Sequence, residues 1–453
     1  MKSFLAKISF VLAALASTAT ATANDCVCGY DPNEDYFPNK VSADHSENFR
    51  VEYFKSYKKL TVIDSGVEYV TYAYLCGTTP PPNATLANSI EIPIKSAGVT
   101  STTLLPYIEY LNERQSLVYV GADETTFRSC LRKMADDDRI QSGYSFSALQ
   151  MVEANTTAAT RTGRGLDVVF MDSYNYKSSG LPAAITSALG SHTKSIYIAE
   201  QLETSSLGKS EWVEFVAALY NKEYDVVDLI ARVEGQYDCV KDVVATTLAP
   251  SGPTKKVMWG YCYYNTWGLS TDCYAAVCPN YYCELVADAN GDLIAPAFAY
   301  QTPSQMYALA ADADVWIYTD ANWNRTSAFA QPFFDGALKT QFQNLTVVQN
   351  QQVYDILGSN WADWFEDAKA QPGVVLMDLL QAIHGDHYIS STARTRQFLR
   401  NVFTEPLADQ SERLGAACLN ENAPLYTSWL TGFCALPANT PTSVPDKILC
   451  PAP

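Results

Sequence analysis

Histidine is scarce in this sequence, with only His45, His192, His384 and His387 among 453 residues. Most imidazole-based chemistry is therefore excluded. The pair His384-Gly385-Asp386-His387 has neither the spacing nor the glutamate of the HExxH zinc-protease helix. Two other signatures are missing: the G-x-S-x-G nucleophile elbow and the G-x-x-x-x-G-K-[ST] phosphate loop. Positive charge is also in short supply. Thirty-one Lys and Arg face 49 Asp and Glu, a net charge of −18. Nucleic acid and anionic lipid both need a basic face, so neither is expected as a partner. Long apolar runs are absent as well. The run at 8–16 is too short to cross a bilayer, and the Pro- and Thr-rich residues 435–453 offer no hydrophobic anchor tail. Carboxylates are abundant, which leaves a glycosidase-like pair as the one catalytic arrangement open. With no other catalytic constellation, the chain reads as a binder and not an enzyme.

What is present begins with an export pattern. Lys2 and Lys7 flank the start of the 8–16 run, and Thr20-Ala21-Thr22-Ala23 supplies small residues for cleavage. Residues 1–23 therefore read as a signal peptide. All twelve cysteines follow it. An even count in an exported chain favours disulfides, and no C-x-x-C pair suggests zinc. Asn83, Asn155, Asn324 and Asn344 stand in glycosylation sequons. The segment Asp288-Ala289-Asn290-Gly291-Asp292 resembles the start of a calcium loop. Its twelfth position is Ala299 instead of Glu, so it reads as a plain turn.

The most regular pattern lies at 222–247. Val226, Ile230, Val233, Tyr237, Val240 and Val244 recur in steps of four and three, one face of a helix about 39 Å long. Before it, Trp212, Phe215, Val216 and Leu219 mark another helix, with Ser210 as its expected cap. On both sides the chain alternates strand and helix signals, which implies parallel sheets covered on both faces. The first half offers strands at 90–99, 117–120 and 168–171, and helices at 104–112 and near 125–136. The second offers strands at 256–259, 315–318 and 352–355, and a helix at 370–384. Residues 49–76 read as a β-hairpin turning at Asp64-Ser65-Gly66. The expected fold is α/β, with two Rossmann-like lobes joined by a single long spine helix. Its divisions are a signal peptide at 1–23, a polar extension pinned by Cys26 or Cys28 at 24–48, and a first lobe at 49–210. Linking helices follow at 211–249, a second lobe at 250–391 with a Tyr- and Cys-rich insert at 261–283, and a cysteine-containing tail at 392–453.

This order of elements resembles the class III periplasmic binding proteins, which capture siderophores, haem or cobalamin. The residues that carry the resemblance are Val99-Thr100-Ser101-Thr102-Thr103, Ala199-Glu200, the stretch 207–212, Lys222-Glu223 and Trp259-Gly260. Further on they are the stretches 287–292 and 313–317, Val353-Tyr354 and Asp378-Leu379-Leu380 before His384. The twelve cysteines, the insert and the tail depart from typical bacterial members. The resemblance implies capture of an iron–siderophore-type chelate, haem or cobalamin in an interlobe cleft for uptake. The ligand would be a metal chelate, with no covalently bound cofactor. A membrane permease or receptor would be the partner of a monomer that is secreted, periplasmic or at the cell surface. Two alternatives stand beside it: direct ferric-ion binding by Tyr and carboxylates, and a non-transport surface glycoprotein on the same fold.

Ligands bind outside the carboxyl ends of parallel strands. That rule selects Thr100, Ser101, Thr102, Tyr144, Tyr174 and Glu200 from the first lobe. From the second it selects Tyr263, Tyr264, Trp267, Trp323 and Trp361. Flat aromatic rings suit a chelate with aromatic or macrocyclic arms. Thr100, Ser101 and Thr102 read equally as helix caps. Arg128, Arg161, Arg164 and Arg325 are the basic cleft candidates. Trp212 and Trp316 sit in apolar patterns and are expected in the core.

Overall fold

The computed structural model describes residues 26–122, 129–143, 148–247, 254–265, 270–319, 341–358, 361–385 and 396–407. The expected leader, the sequon at Asn324, His387 and most of the tail lie outside these residues. Short apolar runs with both faces covered build the first lobe's sheet. Its strands are β5 (Ala97–Val99), β6 (Leu117–Val120), β7 (Gln141–Ser142), β8 (Val168–Met171) and β9 (Lys194–Tyr197). They pair in the order β7-β6-β5-β8-β9, all parallel. Every residue of β5, β6 and β8 is buried, as expected for a parallel sheet between helical layers.

A second sheet precedes it, made of β1 (Phe49–Tyr53), β2 (Tyr57–Asp64), β3 (Val67–Leu75) and β4 (Ser89–Ile92). The β2–β3 hairpin turns through Ser65 and Gly66, both at positive φ (53° and 80°), the geometry of a two-residue hairpin loop. One expectation changes here. The predicted strand at 90–99 is two strands, β4 and β5, in different sheets, because Pro93 has no N–H to continue a ladder.

In the second lobe, β10 (Lys255–Asn265), β12 (Gly291–Leu293), β14 (Val315–Tyr318) and β15 (Val353–Asp355) form the parallel part. β11 (Ser270–Ala275), β13 (Tyr300–Gln301) and β16 (Arg400–Asn401) add antiparallel edges, so the sheet has seven described strands. The Tyr- and Cys-rich stretch is therefore no detached insert. β10 runs on past Trp259 and returns as β11, with Cys262 bonded to Cys273 across the ladder. Cys26–Cys76 pins the N-terminal extension, and Cys278–Cys283 closes a short loop. All nine described cysteines are oxidised.

The spine helix runs Glu223–Thr247, and its six rhythmic apolar positions are all buried. At its N-terminal end Glu223 pairs with the wholly buried Lys58 of β2, and Tyr53 Oη donates to the same carboxylate. Lys58 also donates to Ala218 O and Asn221 Oδ1, both at 2.9 Å, and so closes the preceding helix (Trp212–Tyr220). Past its midpoint Tyr237 Oη donates to Asp288 of the second lobe at 2.6 Å. Gly373 admits the close approach of the helix Pro372–His384, since a Cβ there would stand 2.9 Å from Gln236 Cγ. The helix is thus fastened to the first lobe at its start and to the second lobe from its middle onward. One apolar core runs from the first sheet through the linking helices into the second lobe. Trp212 and Trp316 are both fully buried. Ser210 is not a cap: its Oγ donates back to Leu207 O, and Ser205 caps the short helix Ser206–Ser210 instead.

Candidate functional site

The loops after strand ends in both lobes meet. After β5, Ser101 accepts from Thr103 N and opens the turn Thr102–Leu104. This turn packs against the second lobe's helix Trp361–Glu366, which follows β15. After β9 the chain reaches Glu200, whose carboxylate lies in the same seam. Lys369 Nζ stands 2.6 Å from Glu200 Oε1, and Lys209 Nζ stands 3.6 Å from Oε2. Lys209 also donates to Glu200 O at 2.7 Å. Below this network the helix Ser206–Ser210 meets the second lobe's helix Tyr281–Asp288, where Ser206 N donates to Glu284 Oε2 at 2.6 Å.

Beside the network is a small pocket with room for about one water molecule. It is lined by Ser206 and Lys209 on one side and by Tyr281, Trp364, Lys369 and Pro372 on the other. Its two aromatics, Tyr281 and Trp364, are joined behind the pocket through Tyr282 and the buried Trp259, neither of which lines it. Tyr281 stacks near Tyr282, Tyr282 near Trp259 (4.4 Å between centroids), and Trp259 near Trp364 (5.9 Å). Lys209 Nζ sits 4.6 Å from the Tyr281 ring centroid, a cation–π distance.

Charge in the seam is tuned by burial. Desolvation depresses Lys209 to about 8, although Glu200 pulls in the opposite direction. Burial alone would raise Glu200, but Lys369 and Lys209 outweigh it and hold the carboxyl below its usual value. Both Glu200 oxygens therefore face ammonium groups, while Glu203 acts on Lys209 and Glu284 accepts from Ser206, so the two lysines are matched by carboxylates.

The structure sorts the residues selected by sequence. Thr102 and Glu200 lie in the seam. Thr100 is buried, and its hydroxyl donates to Asp172 Oδ2 at 2.9 Å, a clasp between the ends of β5 and β8. Ser101 caps the turn. Tyr174, in the helix Ser173–Lys177, is 69% exposed and is not among the pocket-lining residues. Tyr263 is half-buried in β10, 5.9 Å from Tyr261 between centroids. Tyr264 also belongs to β10, and Trp361 begins the helix that meets Thr102. Tyr144, Trp267 and Trp323 lie outside the described residues, as do Arg128 and Arg325.

Arg161 and Arg164 are not cleft residues. Arg161 donates to Leu117 O, and Arg164 to Asp167 and Pro93 O, all at the strands' amino-terminal edge. Sequence reasoning missed Lys209, Tyr281, Trp364 and Lys369. A lysine inside the buried stretch 206–220 was a usable signal for Lys209. Lys369 offered none, because its partner is 169 positions away.

No family model matches this chain. It is 28% identical over 197 residues to an uncharacterized lipoprotein of Methanocaldococcus jannaschii, and spans 42% of that relative's length. Three solved structures are similar in arrangement. A possible iron-binding (periplasmic solute-binding) protein of Staphylococcus epidermidis is 12% identical, with 64% of this chain and 97% of that one covered and a TM-score of 0.45. A periplasmic haem-binding protein of Pseudomonas aeruginosa is 10% identical, covering 70% and 98%, with a TM-score of 0.42. The FhuD2 protein of Staphylococcus aureus, solved with ferrioxamine B bound, is 10% identical over 64% and 100%, with a TM-score of 0.43.

Proposed function

We propose that this chain is an exported, two-lobed solute-binding protein of the class III type that captures an anionic metal chelate between its lobes. One observation carries the reading. Loops after β5 and β9 of the first lobe meet residues after β15 of the second, and two lysines and an aromatic wall lie at that seam. Carboxyl ends of parallel strands are where α/β proteins hold small molecules. Lys209 and Lys369 favour a ligand with negative charge. The Tyr281–Trp364 wall favours one with flat or macrocyclic parts. Direct coordination of a bare ferric ion is less well served, since Glu200 is already engaged by two ammonium groups. The continuous core through the linking helices favours small closure movements over wide hinge opening. Delivery to a membrane permease or receptor completes the proposed role.

The test is a titration of tryptophan emission with ferric hydroxamate, catecholate and citrate chelates, haem and cobalamin, with free ferric iron as a separate arm. Trp364 at the pocket is the reporter, and a bound ferric chelate quenches it. We expect saturable quenching by one chelate class at sub-micromolar concentration, about 8 kcal/mol of binding free energy or more. Unchanged emission with every chelate, together with tight binding of free ferric iron, would transfer the assignment to direct coordination.

A further inference from the structure

Where the N-terminal extension crosses the linking helices, three titratable side chains converge, with a fourth, Glu214, buried nearby. Glu211 and Glu214 are three residues apart and so share a helix face. Glu234 comes from the spine helix, and His45 from the N-terminal extension that crosses both. One ligand atom each from His45, Glu211 and Glu234 lies within 4.8 Å of the others. His45 Nε2 stands 3.8 Å from Glu234 Oε1.

The simplest account of Glu211 is that it holds the extension. Its oxygens accept the N–H groups of Asp44, His45 and Ser46 at 2.6–3.0 Å. That account fixes the loop but leaves Glu214 unexplained. Glu214 is only 5% exposed, and its Oε2 is buried with no hydrogen-bond partner. Burial first, and then the carboxylates of Glu211, Glu234, Asp44 and Glu223, push its carboxyl up to about 9. Such a group keeps its proton while it stands alone, and a cation held by Glu211 and Glu234 beside it relieves the same crowding of carboxyls.

We propose that His45, Glu211 and Glu234, with the buried Glu214 beside them, form a site for a first-row divalent metal ion of the zinc type, which fastens the N-terminal extension to the linking helices. One imidazole with carboxylate oxygens is a donor set such ions accept. His45 and Glu234, the more exposed pair, provide the way in from solvent. The backbone of the ligand loop is already set, because His45 O packs 3.0 Å from where a Cβ on Gly208 would stand. The ion binds folded protein better than unfolded chain and therefore stabilises it.

The experiment uses the untagged, oxidised full chain, stripped with EDTA and titrated with Zn²⁺ by calorimetry and by thermal melting. We expect about one ion per chain with a dissociation constant of about 1 μM or below, and a rise in melting temperature that EDTA reverses. His45→Ala and Glu234→Gln should each raise the dissociation constant about tenfold or more while the stripped proteins melt as the parent does. Co²⁺ should give a visible band with the parent and none with His45→Ala. No zinc-dependent rise, or an equal rise in His45→Ala, overturns the site. Chelate quenching at the seam is indifferent to His45→Ala, so this result stands apart from the proposed function.

Discussion

Neutralising Glu200 puts the seam to a direct test. Its side chain is 3% exposed, and its partners Lys369 and Lys209 are 13% and 5% exposed. Glu200→Gln keeps the shape but removes the carboxylate between two buried ammonium groups, leaving Glu203 as a remaining negative charge acting on Lys209. Breaking a buried pair by removing one partner costs about 3–5 kcal/mol. Lys209 offers a relief, because its pKa already lies at about 8 and falls further once the carboxylate is gone. Each unit of depression that must be overcome near neutral pH costs about 1.4 kcal/mol, so shedding that proton limits the damage to about 2–4 kcal/mol. Lys369→Met leaves Glu200 still paired with Lys209 and should cost less, about 1–2 kcal/mol. The two groups touch, so the double variant should fall short of the sum by about 1–3 kcal/mol. Urea unfolding at pH 7, followed by tryptophan emission and circular dichroism, reads all four proteins. Costs below about 1 kcal/mol for Glu200→Gln, or strict additivity with Lys369→Met, would refute the network as a joint between the lobes.

Three other outcomes are expected. Ile230→Gly removes a buried side chain and a good helix former from the spine, and should lower the urea-derived stability by about 3–6 kcal/mol. Gly66 sits at φ +80° in the hairpin turn, so Gly66→Val should destabilise by about 1–3 kcal/mol in the same assay, while Ser65→Asn stays near neutral. Lys209 is cationic below about pH 8 and neutral above it. An anionic chelate in the seam should therefore bind more tightly at pH 7 than at pH 9. The quenching titration run at both values, with Lys209→Met as the pH-insensitive control, checks the sign.

Much of the architecture follows from local pattern. The rhythm of Val226, Ile230, Val233, Tyr237, Val240 and Val244 specifies the spine, because a stripe recurring every three or four residues can be buried only as a helix. The continuous apolar runs at 117–120, 168–171 and 315–318 specify strands buried on both faces, and Ser65-Gly66 specifies a turn. Those signals need only neighbours in sequence. Pro93 shows where local reading stops. It marks a break at 90–99, but which sheet each half joins depends on partners supplied elsewhere, β3 for one half and β6 and β8 for the other. The stretch 261–275 repeats the lesson, since its extra tyrosines mean a prolonged β10 only when β11 folds back on it.

The strand-end rule led from sequence to Thr102 and Glu200, because a loop's position after a strand fixes which edge it reaches. It stopped at Trp361 and did not reach Trp364 or Lys369, which lie within and beyond the helix that follows β15. Nor could it separate Arg161 and Arg164, which serve the opposite edge. Sequence alone therefore determined the period-driven elements, the crossing helix and the oxidised cysteines, each a matter of spacing or composition. Tertiary structure alone decided that Glu200 meets Lys369 and that His45 meets Glu211 and Glu234. Those pairings join residues more than 160 positions apart, and electrostatic attraction has no sequence period by which it can be read.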